Sequence, residues 1–451
     1  MRVSLCSILF LLIAGCGRPP QNDRTRITYW EKWTGFEGEA ISRVVKAFNE
    51  KPEREQDKIE VELTQVSQIE RKLLVATAGG KPPDVAGIYT FILYSYAEKG
   101  ALTDMTRMLK DASIKREDYV PAFWDMCEHN GKMWALPTTP ATVALHWNKR
   151  LFREAGLDPE KAPTTIAELD EMAAKLTVWQ KGDETRRGAK PEGDGWRLMQ
   201  IGFLPQEPGW WAWAFGYWFG GKLWDGKKVT INTPANVKAY EWVQEYSKKY
   251  GKDNIEKFAS GFGNFSSPQN AFLSGKVAME IQGVWMHNFI EKFAPGMDWA
   301  AAPFPGLTED MPIISNVEAD VIVIPRDSKH PKEAFKFIQD VNSQEGMEML
   351  CSGHRKFSPL AKVSTAFDTM NPPDNPYLKM FRDMSFSPGG FSIPKVGVWN
   401  SYRREMGVAF DEIRSLKRPV PEVFEELQAK MQSGFEKALK RQRLRQSRSK
   451  D

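Results

Sequence analysis

Strand and helix signals alternate between residues 26 and 89, and this alternation restricts the fold more than any other feature of the sequence. The strands are predicted at RITYW, KIEVELTQV and PDVAGIY, and the helices at EAISRVVKAFNE and Ile69–Ala78. Consecutive strands that are separated by helices are typical of a parallel sheet. The first part of the chain is therefore predicted to form an α/β unit.

A second series of strands and helices follows. The strands are predicted at ATVALHWN, GKVAMEI and ADVIVIP, and the helices at KRLFREAGL, TTIAELDEMAAKLT, SKHPKEAFKFIQDVNS and VPEVFEELQAKMQSGFEKALK. Residues 180–196 are rich in Gly and Asp and are predicted to be a loop. A chain of 451 residues is too long for one hydrophobic core, so two lobes are expected.

The first twenty residues, MRVSLCSILFLLIAGCGRPP, have the character of a targeting segment. One basic residue precedes an apolar run that is too short to span a membrane, and small residues precede Cys16. IAGC is typical of a bacterial lipobox, in which the cysteine is acylated. We therefore predict a signal peptide at 1–15, a lipidated flexible tether at 16–24 and an extracytoplasmic, membrane-tethered lipoprotein. A plain secretory signal with Cys16 near the cleavage point is the alternative.

The charge and cysteine content of the chain place few limits on its function. The formal net charge is +4, and the basic tail at 437–451 holds seven basic residues against one acidic residue. This tail is either a solvated helix end or a weak contact for anionic lipid or a partner. No nucleic-acid module accompanies it, so no nucleic-acid partner is predicted. Cys127 and Cys351 are the cysteines that follow Cys16, and whether they are bonded stays open.

The motifs of common enzymes are missing from the sequence. The chain has five His residues, none in an HExxH pair, and no GxSxG or GxxxxGK[ST] motif. Two cysteines cannot build a thiolate metal site on their own. We therefore predict no catalytic residues, no metal and no cofactor. Glycosidase chemistry stays open, because it needs only two carboxylates at a suitable separation.

The segment from Trp210 to Phe219 is unusually aromatic, with seven rings in ten residues. Wound as a helix, these rings would cover more of its surface than one core-facing stripe. Flat aromatic side chains bind the apolar faces of sugar rings, and Trp and Tyr also carry a polar group. The cluster therefore indicates carbohydrate binding. A protein interface, a membrane-surface belt and a Trp-rich core are the alternatives.

The segment QNAFLSGKVAMEIQGVWM resembles the hallmark of the family 1 extracellular solute-binding proteins of bacterial ABC importers, which include maltodextrin- and oligosaccharide-binding lipoproteins. The residues that carry this resemblance are Phe272, Gly275, Ala278, Met279, Gly283 and Trp285. Further segments are similar to the family in the same order: PPDVAGIYTFILYSYAEKGALTDMT, GKMWALPTTPATVALHWNKRLFREAGLD, PKEAFKFIQDVNSQEGMEML and VWNSYRREMGVAFDEI. Together they cover nearly the whole chain after the signal.

The resemblance implies a fold and a division of the chain. The fold is the two-lobe periplasmic-binding-protein fold of type II, in which a hinge of three chain crossings joins two α/β lobes around the ligand cleft. The N-terminal lobe would comprise 25–138 and 319–362, and the C-terminal lobe 139–318 and 363–436. The lobes would close on the ligand by hinge motion.

The resemblance also implies ligand-binding residues in this cleft. They are Glu31, Lys32 and Trp33 in YWEKWTG, Tyr89 after the third strand, Trp210, Trp211 and Trp213 in the aromatic segment, Trp285 in the hallmark, and Trp399 near the penultimate helix. For each Trp, packing in the core is the alternative. For Glu31 and Lys32, a solvated loop pair is the alternative.

The function implied is that of a substrate-binding lipoprotein. Such a protein is monomeric, captures a sugar or oligosaccharide and delivers it to the transmembrane permease subunits of an ABC importer. Three alternatives stay open: a secreted carbohydrate-active enzyme, a lipoprotein that senses a ligand without transport, and a binding protein for another solute such as a glycerophosphodiester or a polyamine.

Overall fold

The computed structural model of the chain describes residues 24–369 and 375–448. The predicted signal peptide, Cys16 and the tether up to residue 23 lie outside these residues. The strands are β1 (Thr25–Glu31), β2 (Ile59–Gln65), β3 (Val85–Tyr89), β4 (Glu128–His129), β5 (Lys132–Met133), β6 (Leu136–Pro140), β7 (Val143–Asn148), β8 (Val178–Lys181), β9 (Glu184–Arg187), β10 (Arg197–Phe203), β11 (Val277–Gly283), β12 (Trp299–Ala302), β13 (Ile314–Asn316), β14 (Ala319–Val323) and β15 (Gly389–Phe391).

Helices account for most of the remaining chain. They are α1 (Gly35–Glu50), α2 (Pro52–Asp57), α3 (Ile69–Ala78), α4 (Thr90–Glu98), α5 (Thr106–Asp111), α6 (Pro121–Asp125), α7 (Lys149–Glu154), α8 (Ile166–Leu176), α9 (Phe215–Trp218), α10 (Pro234–Tyr250), α11 (Lys252–Ala259), α12 (Met286–Phe293), α13 (Pro331–Val341), α14 (Gln344–His354), α15 (Thr365–Thr369), α16 (Leu378–Met384), α17 (Trp399–Arg414) and α18 (Val420–Arg448). The predicted elements of the first series are all present, and the basic tail continues α18 as far as Arg448.

The first sheet has the strand order β2-β1-β3-β14-β6. Strand β1 pairs in parallel with β2 and β3, as the alternation of strands and helices predicts. Strand β14 is antiparallel to both β3 and β6. The sheet is therefore mixed, because β6 and β14 do not belong to the initial βα series but are the segments that leave and re-enter this lobe.

The second sheet has the strand order β12-β7-β11-β10-β8-β9. Its centre is formed by β11, which is buried along its whole length and lies between β7 and β10. The hallmark segment of the sequence thus supplies the middle strand of the second lobe. Helix α8 packs beside β10, with its backbone against Gly202.

The chain crosses between the two lobes three times. The first crossing joins β6 to β7, and the second joins β13 to β14. After Leu360, which forms a bridge to Tyr119 of the first lobe, the chain crosses again, and Phe381 packs against His146 of β7. Two lobes and three crossings confirm the predicted fold class. The lobe boundaries at individual residues stay a prediction.

The prediction of a loop at 180–196 is wrong for its first part. Residues Glu184–Arg187 form strand β9, which pairs in antiparallel register with β8. All four residues of β9 are exposed, so no apolar alternation marks the strand in the sequence. Its pairing depends on backbone hydrogen bonds at the edge of the sheet.

Candidate ligand-binding cleft

One cavity of about 530 Å³ lies between the lobes. Both lobes and the crossing segments contribute to its lining, which is rich in aromatic residues. The aromatic lining residues are Trp33, Tyr89, Phe91, Trp210, Trp211, Trp213, Phe265, Trp285 and Phe289. A volume of this size is within the range of roughly 300–1,000 Å³ that small-molecule sites occupy.

The second lobe forms one side of the cavity, which we call the aromatic wall. It consists of Trp210, Trp211, Trp213, Phe265, Trp285 and Phe289. The ring centre of Trp210 lies 4.7 Å from that of Phe265 and 6.2 Å from that of Trp285. Trp210 is 41% exposed, whereas Trp211 and Trp213 are largely buried. The wall thus offers the indole face of Trp210 and, in part, that of Trp285, which is half-buried.

The rings of the aromatic wall are held by the strand and helices behind them. The indole nitrogen of Trp211 donates a hydrogen bond of 3.0 Å to the carbonyl of Ile281 on β11. Trp285 lies so close to Gly283 that a Cβ on this glycine would stand 2.1 Å from the ring. Trp213 packs edge-on against Trp399 at 5.1 Å. These contacts fix the ring positions before any ligand arrives.

The first lobe forms the opposite side, which we call the charged wall. It consists of Trp33, Glu37, Tyr89, Asp320 and Lys356. Here two aromatic rings stand beside two carboxylates and an ammonium group. This wall can donate and accept hydrogen bonds as well as cover an apolar face.

Lys32 connects the members of the charged wall from behind. Its Nζ lies 3.2 Å from the carboxylate of Asp320 and 3.2 Å from that of Glu31. The same atom lies 4.3 Å from the ring centre of Trp33 and 4.9 Å from that of Tyr89. Burial alone would lower the pKa of Lys32, but Asp320 and Glu31 raise it above its ordinary value. Lys32 is therefore a buried cation that positions two rings and one cavity carboxylate.

Glu31 lies one layer deeper than Lys32 and is fully buried. Its carboxylate accepts hydrogen bonds from the hydroxyl of Tyr29 at 2.5 Å and from the backbone N–H of Lys32 at 2.7 Å. The glycine at position 87 leaves room for it, because a Cβ there would stand 1.7 Å from Glu31 Oε2. Ile27, Tyr29 and Glu31 are alternate residues of β1 and face inward together.

A second ion pair stands at the other end of the charged wall. Lys356 Nζ lies 3.5 Å from the Glu37 carboxylate and donates a hydrogen bond of 3.3 Å to the Thr139 hydroxyl. The same Nζ lies 6.0 Å from the ring centre of Trp285 on the opposite wall. Burial raises the pKa of Glu37, and Lys356 partly offsets this effect. Each cation next to the cavity in this lobe thus has a carboxylate partner.

The crossing segment before β14 adds polar groups at the hinge. Asn316, Glu318 and Asp320 are alternate residues, and all three line the cavity. The Glu318 carboxylate accepts a hydrogen bond of 3.3 Å from the backbone N–H of Ile393. Burial raises the pKa of Glu318 to about 7, although this hydrogen bond lowers it. The hinge therefore presents a carboxyl group that is partly protonated near neutral pH.

The structure brings six of the nine predicted ligand-binding residues onto the cavity. They are Trp33, Tyr89, Trp210, Trp211, Trp213 and Trp285. Glu31 and Lys32 lie behind Trp33 and Tyr89, because β1 directs Glu31 into the core and the Lys32 ammonium turns back to Asp320. Trp399 is 1% exposed and lies behind Trp213. These three residues support the walls without lining the cavity.

Several lining residues were not anticipated from the sequence. They are Glu37, Phe91, Phe265, Phe289, Asn316, Glu318, Asp320, Lys356 and Arg403. A signal exists for the hinge group, because polar residues alternate in SNVEAD directly before a buried apolar strand. Lys356 and Glu37 are far apart in the sequence, and only the tertiary fold pairs them.

Other features of the described part of the chain restrict its chemistry. Within residues 24–369 and 375–448, no three His, Cys, Asp or Glu side chains cluster as metal ligands would. None of the helices in the same ranges is long and apolar enough to cross a bilayer. Cys127 and Cys351 are two free, buried thiols, and burial raises the pKa of each.

Two α/β lobes with a hinge of three crossings and a cavity between them define a binding protein of the periplasmic type. The sequence model described as bacterial extracellular solute-binding protein matches residues 36–348. The chain belongs to this family, whose members are extracytoplasmic binding proteins.

Individual relatives are similar to the chain at moderate identity. The arabinooligosaccharide-binding protein of Bacillus subtilis (strain 168) is 24% identical over 361 residues, which are 77% of this chain and 77% of that protein. The sn-glycerol-3-phosphate-binding protein UgpB of Yersinia pestis is 24% identical over 282 residues, which are 58% of each. The solved structure of CpMnBP1 with mannotriose bound has a TM-score of 0.76 and 27% identity, and covers 90% of this chain and 99% of that one.

Proposed function

We propose that this protein is the substrate-binding component of an ABC importer that captures an oligosaccharide between the aromatic wall and the charged wall. The family, the arabinooligosaccharide-binding relative and the mannotriose-bound structure support this proposal. The captured ligand would then be delivered to permease subunits in the membrane. We expect the binding protein itself to be a monomer without a cofactor.

One observation carries the proposal: aromatic rings face one cavity from both lobes, with charged and amide groups between them. A pyranose ring has apolar C–H faces and a rim of hydroxyl groups. Trp210 and Trp285 can cover such a face, because both rings stand at the cavity surface. Asp320, Asn316 and Lys356 can exchange hydrogen bonds with the hydroxyl groups.

The proposed capture needs no covalent chemistry. A ligand that contacts both walls shifts the population toward the closed form by its differential affinity for that form. We expect contacts between the lobes to hold the closed form, and two such contacts are present in this structure. The amide of Asn288 donates a hydrogen bond of 2.9 Å to the carbonyl of His354, and the rings of Phe36 and Phe289 lie 6.2 Å apart.

The proposal is tested by isothermal titration calorimetry with neutral and acidic mono-, di- and oligosaccharides. At least one oligosaccharide should bind with a Kd in the micromolar range or below and should change the Trp fluorescence, because several indoles line the cavity. The titrated sugar should be recovered intact, since we propose binding and not hydrolysis. Heat only from sn-glycerol 3-phosphate or spermidine, with none from any saccharide, would contradict the proposal.

We further propose that acylated Cys16 tethers the protein to a membrane surface. The proposal depends on the IAGC sequence alone. After expression in a bacterium, the protein should fractionate with membranes and extract with detergent. A Cys16→Ser variant should be found in the soluble fraction, and equal membrane recovery of both forms would contradict the tether.

A further inference from the structure

A second space of about 570 Å³, which we call the basic groove, adjoins the cavity. The two spaces share Phe91, Trp210, Trp213 and Arg403 in their linings. The groove is lined by α3 and α4 of the first lobe and by α17 on the other side. The shared residues place the two spaces side by side, so a ligand that extended past them from the cavity would reach the groove.

The charge of the basic groove is strongly one-sided. Its lining includes four basic residues, Arg71, Lys99, Arg403 and Arg404, against the single acidic residue Glu70. All four basic side chains belong to exposed residues. Like charges around one concave surface repel each other, and an anion in the groove would relieve this repulsion.

The pairing of these cations differs from that in the cavity. In the described parts of the chain, no carboxylate lies within ion-pair distance of Arg71, Lys99 or Arg403, although Glu318 and Glu70 act on Arg403 at longer range. Arg404 reaches Glu405 only at 3.9 Å, and Glu405 also pairs with Lys430 at 2.6 Å. Beside the cavity, by contrast, Lys32 pairs with Asp320, and Lys356 pairs with Glu37. The groove cations thus have fewer close carboxylate partners than Lys32 and Lys356 have.

Arg403 stands where the two spaces meet. Its guanidinium carbon lies 4.4 Å from the ring centre of Phe91, so the planar group stacks on a ring at the junction. A guanidinium group held in this way can bind a carboxylate or a sulfate through two hydrogen bonds. The junction therefore offers a stacking surface and an anion-binding group within one step along a sugar chain.

From these observations we propose that the ligand is an acidic oligosaccharide, with one sugar unit stacked in the cavity and a carboxylate- or sulfate-bearing unit in the basic groove. This inference rests on the proposed function and names the class of its ligand. The paired carboxylates of the cavity would not favour an anionic group there, so the charge pattern also fixes the direction in which the chain binds.

The test is a calorimetric comparison of acidic and neutral oligosaccharides with matched backbones. Oligosaccharides that carry a single uronic acid unit at one end are compared with the same oligosaccharides after methyl esterification of that carboxyl group. An acidic member should bind about 10-fold more tightly than its neutral match, because its anionic unit contacts two or three exposed cations of the groove. Raising the salt concentration from about 20 mM to about 500 mM should weaken only the acidic ligand.

Charge-removal variants locate the effect. The R71Q/K99Q variant leaves the cavity lining intact and should bring acidic and neutral affinities to within about 3-fold of each other. The K81Q/K110Q variant removes the same charge from exposed residues outside the groove and should keep the preference. An unchanged preference in R71Q/K99Q, or equal binding of acidic and neutral matches to the unmodified protein, would overturn the acidic-ligand proposal but leave saccharide binding in place. Absence of binding by every saccharide would instead overturn the proposed function.

Discussion

The two walls of the cavity are held in place by different interactions. The aromatic wall consists of uncharged rings that pack on each other and on β11, and one of them, Trp210, is 41% exposed. The charged wall depends on Lys32, whose buried ammonium contacts two carboxylates and two rings at once. Removal of a single ring from the aromatic wall should therefore leave the other rings in place. Loss of Lys32, in contrast, should disturb several groups of the charged wall together.

The largest effect is expected from breaking the charged wall with Lys32→Met. Glu31 and Asp320 would lose their shared cation while their side chains stay 0% and 13% exposed. An uncompensated buried carboxylate costs about 3–5 kcal/mol, so the free energy of unfolding should fall by this amount. Urea titration followed by circular dichroism measures it.

Lys81→Met is the matched control, because Lys81 is exposed and forms no ion pair in the described ranges of the chain. It should change the free energy of unfolding by less than about 0.5 kcal/mol. A loss below about 1 kcal/mol in Lys32→Met would show that the charged wall does not depend on this cation.

The next prediction is that two Trp residues of the same aromatic segment have different roles, one in binding and one in stability. Trp210→Ala should weaken oligosaccharide binding by about 10- to 100-fold and leave the unfolding free energy nearly unchanged, because this ring is 41% exposed. Trp218→Ala should instead lower the unfolding free energy by about 3–5 kcal/mol, because Trp218 is fully buried and donates a hydrogen bond to Ile314. Calorimetric titration and urea unfolding of both variants provide the two readouts. The contrast fails if Trp210→Ala destabilises the fold as much as Trp218→Ala does.

A smaller effect on stability is expected from a buried carboxyl group on β11, the strand behind the aromatic wall. Glu280 on β11 is buried, and its Oε2 finds no hydrogen-bond partner among the residues that the structure describes. Burial raises the pKa of Glu280 to about 8, and only the Gln282 amide lowers it. Unlike Glu31 and Asp320, this carboxyl forms no ion pair with any cation in the part of the chain that the structure describes.

The sign of the resulting pH dependence follows from this raised pKa. Between the pKa of the unfolded chain, about 4.5, and that of the folded protein, about 8, the folded state keeps the proton that the unfolded state releases, so stability falls as pH rises. Glu280→Gln should match the unmodified protein near pH 4.5 and be more stable at pH 8, by on the order of 1–3 kcal/mol. Melting temperatures at both pH values measure this difference, and an equal shift at both would contradict it.

Much of the fold could be predicted from the sequence because its signals are local. The alternation of Ile59, Val61 and Leu63 marks β2, and the apolar spacing of Ile41, Val44 and Phe48 marks α1. Strand β9 was missed because its four residues are all exposed and charged or polar. Its place in the sheet is set by backbone pairing with β8, which leaves no pattern in the side chains.

The candidate site could be predicted only in its aromatic part. Trp210, Trp211 and Trp213 stand out in the sequence, yet Phe215 and Trp218 are equally aromatic and lie in the core. Which rings face the cavity and which face the core depends on a turn before α9. The spacing of residues in the sequence does not predict this turn. The ion pairs of the charged wall join residues that are far apart along the chain, and the basic groove gathers cations from α3, α4 and α17. These ion pairs and this cluster of cations can be identified only from the tertiary structure.

The most direct test is a crystal structure of the protein with the oligosaccharide that binds most tightly in calorimetry. We predict that a sugar ring lies against Trp210 or Trp285, at a carbon–carbon distance of about 4 Å. On the opposite wall, Asp320 should accept a hydrogen bond from a sugar hydroxyl group, or Lys356 should donate one to it. A sugar bound to one lobe only, or outside the cavity, would contradict the account.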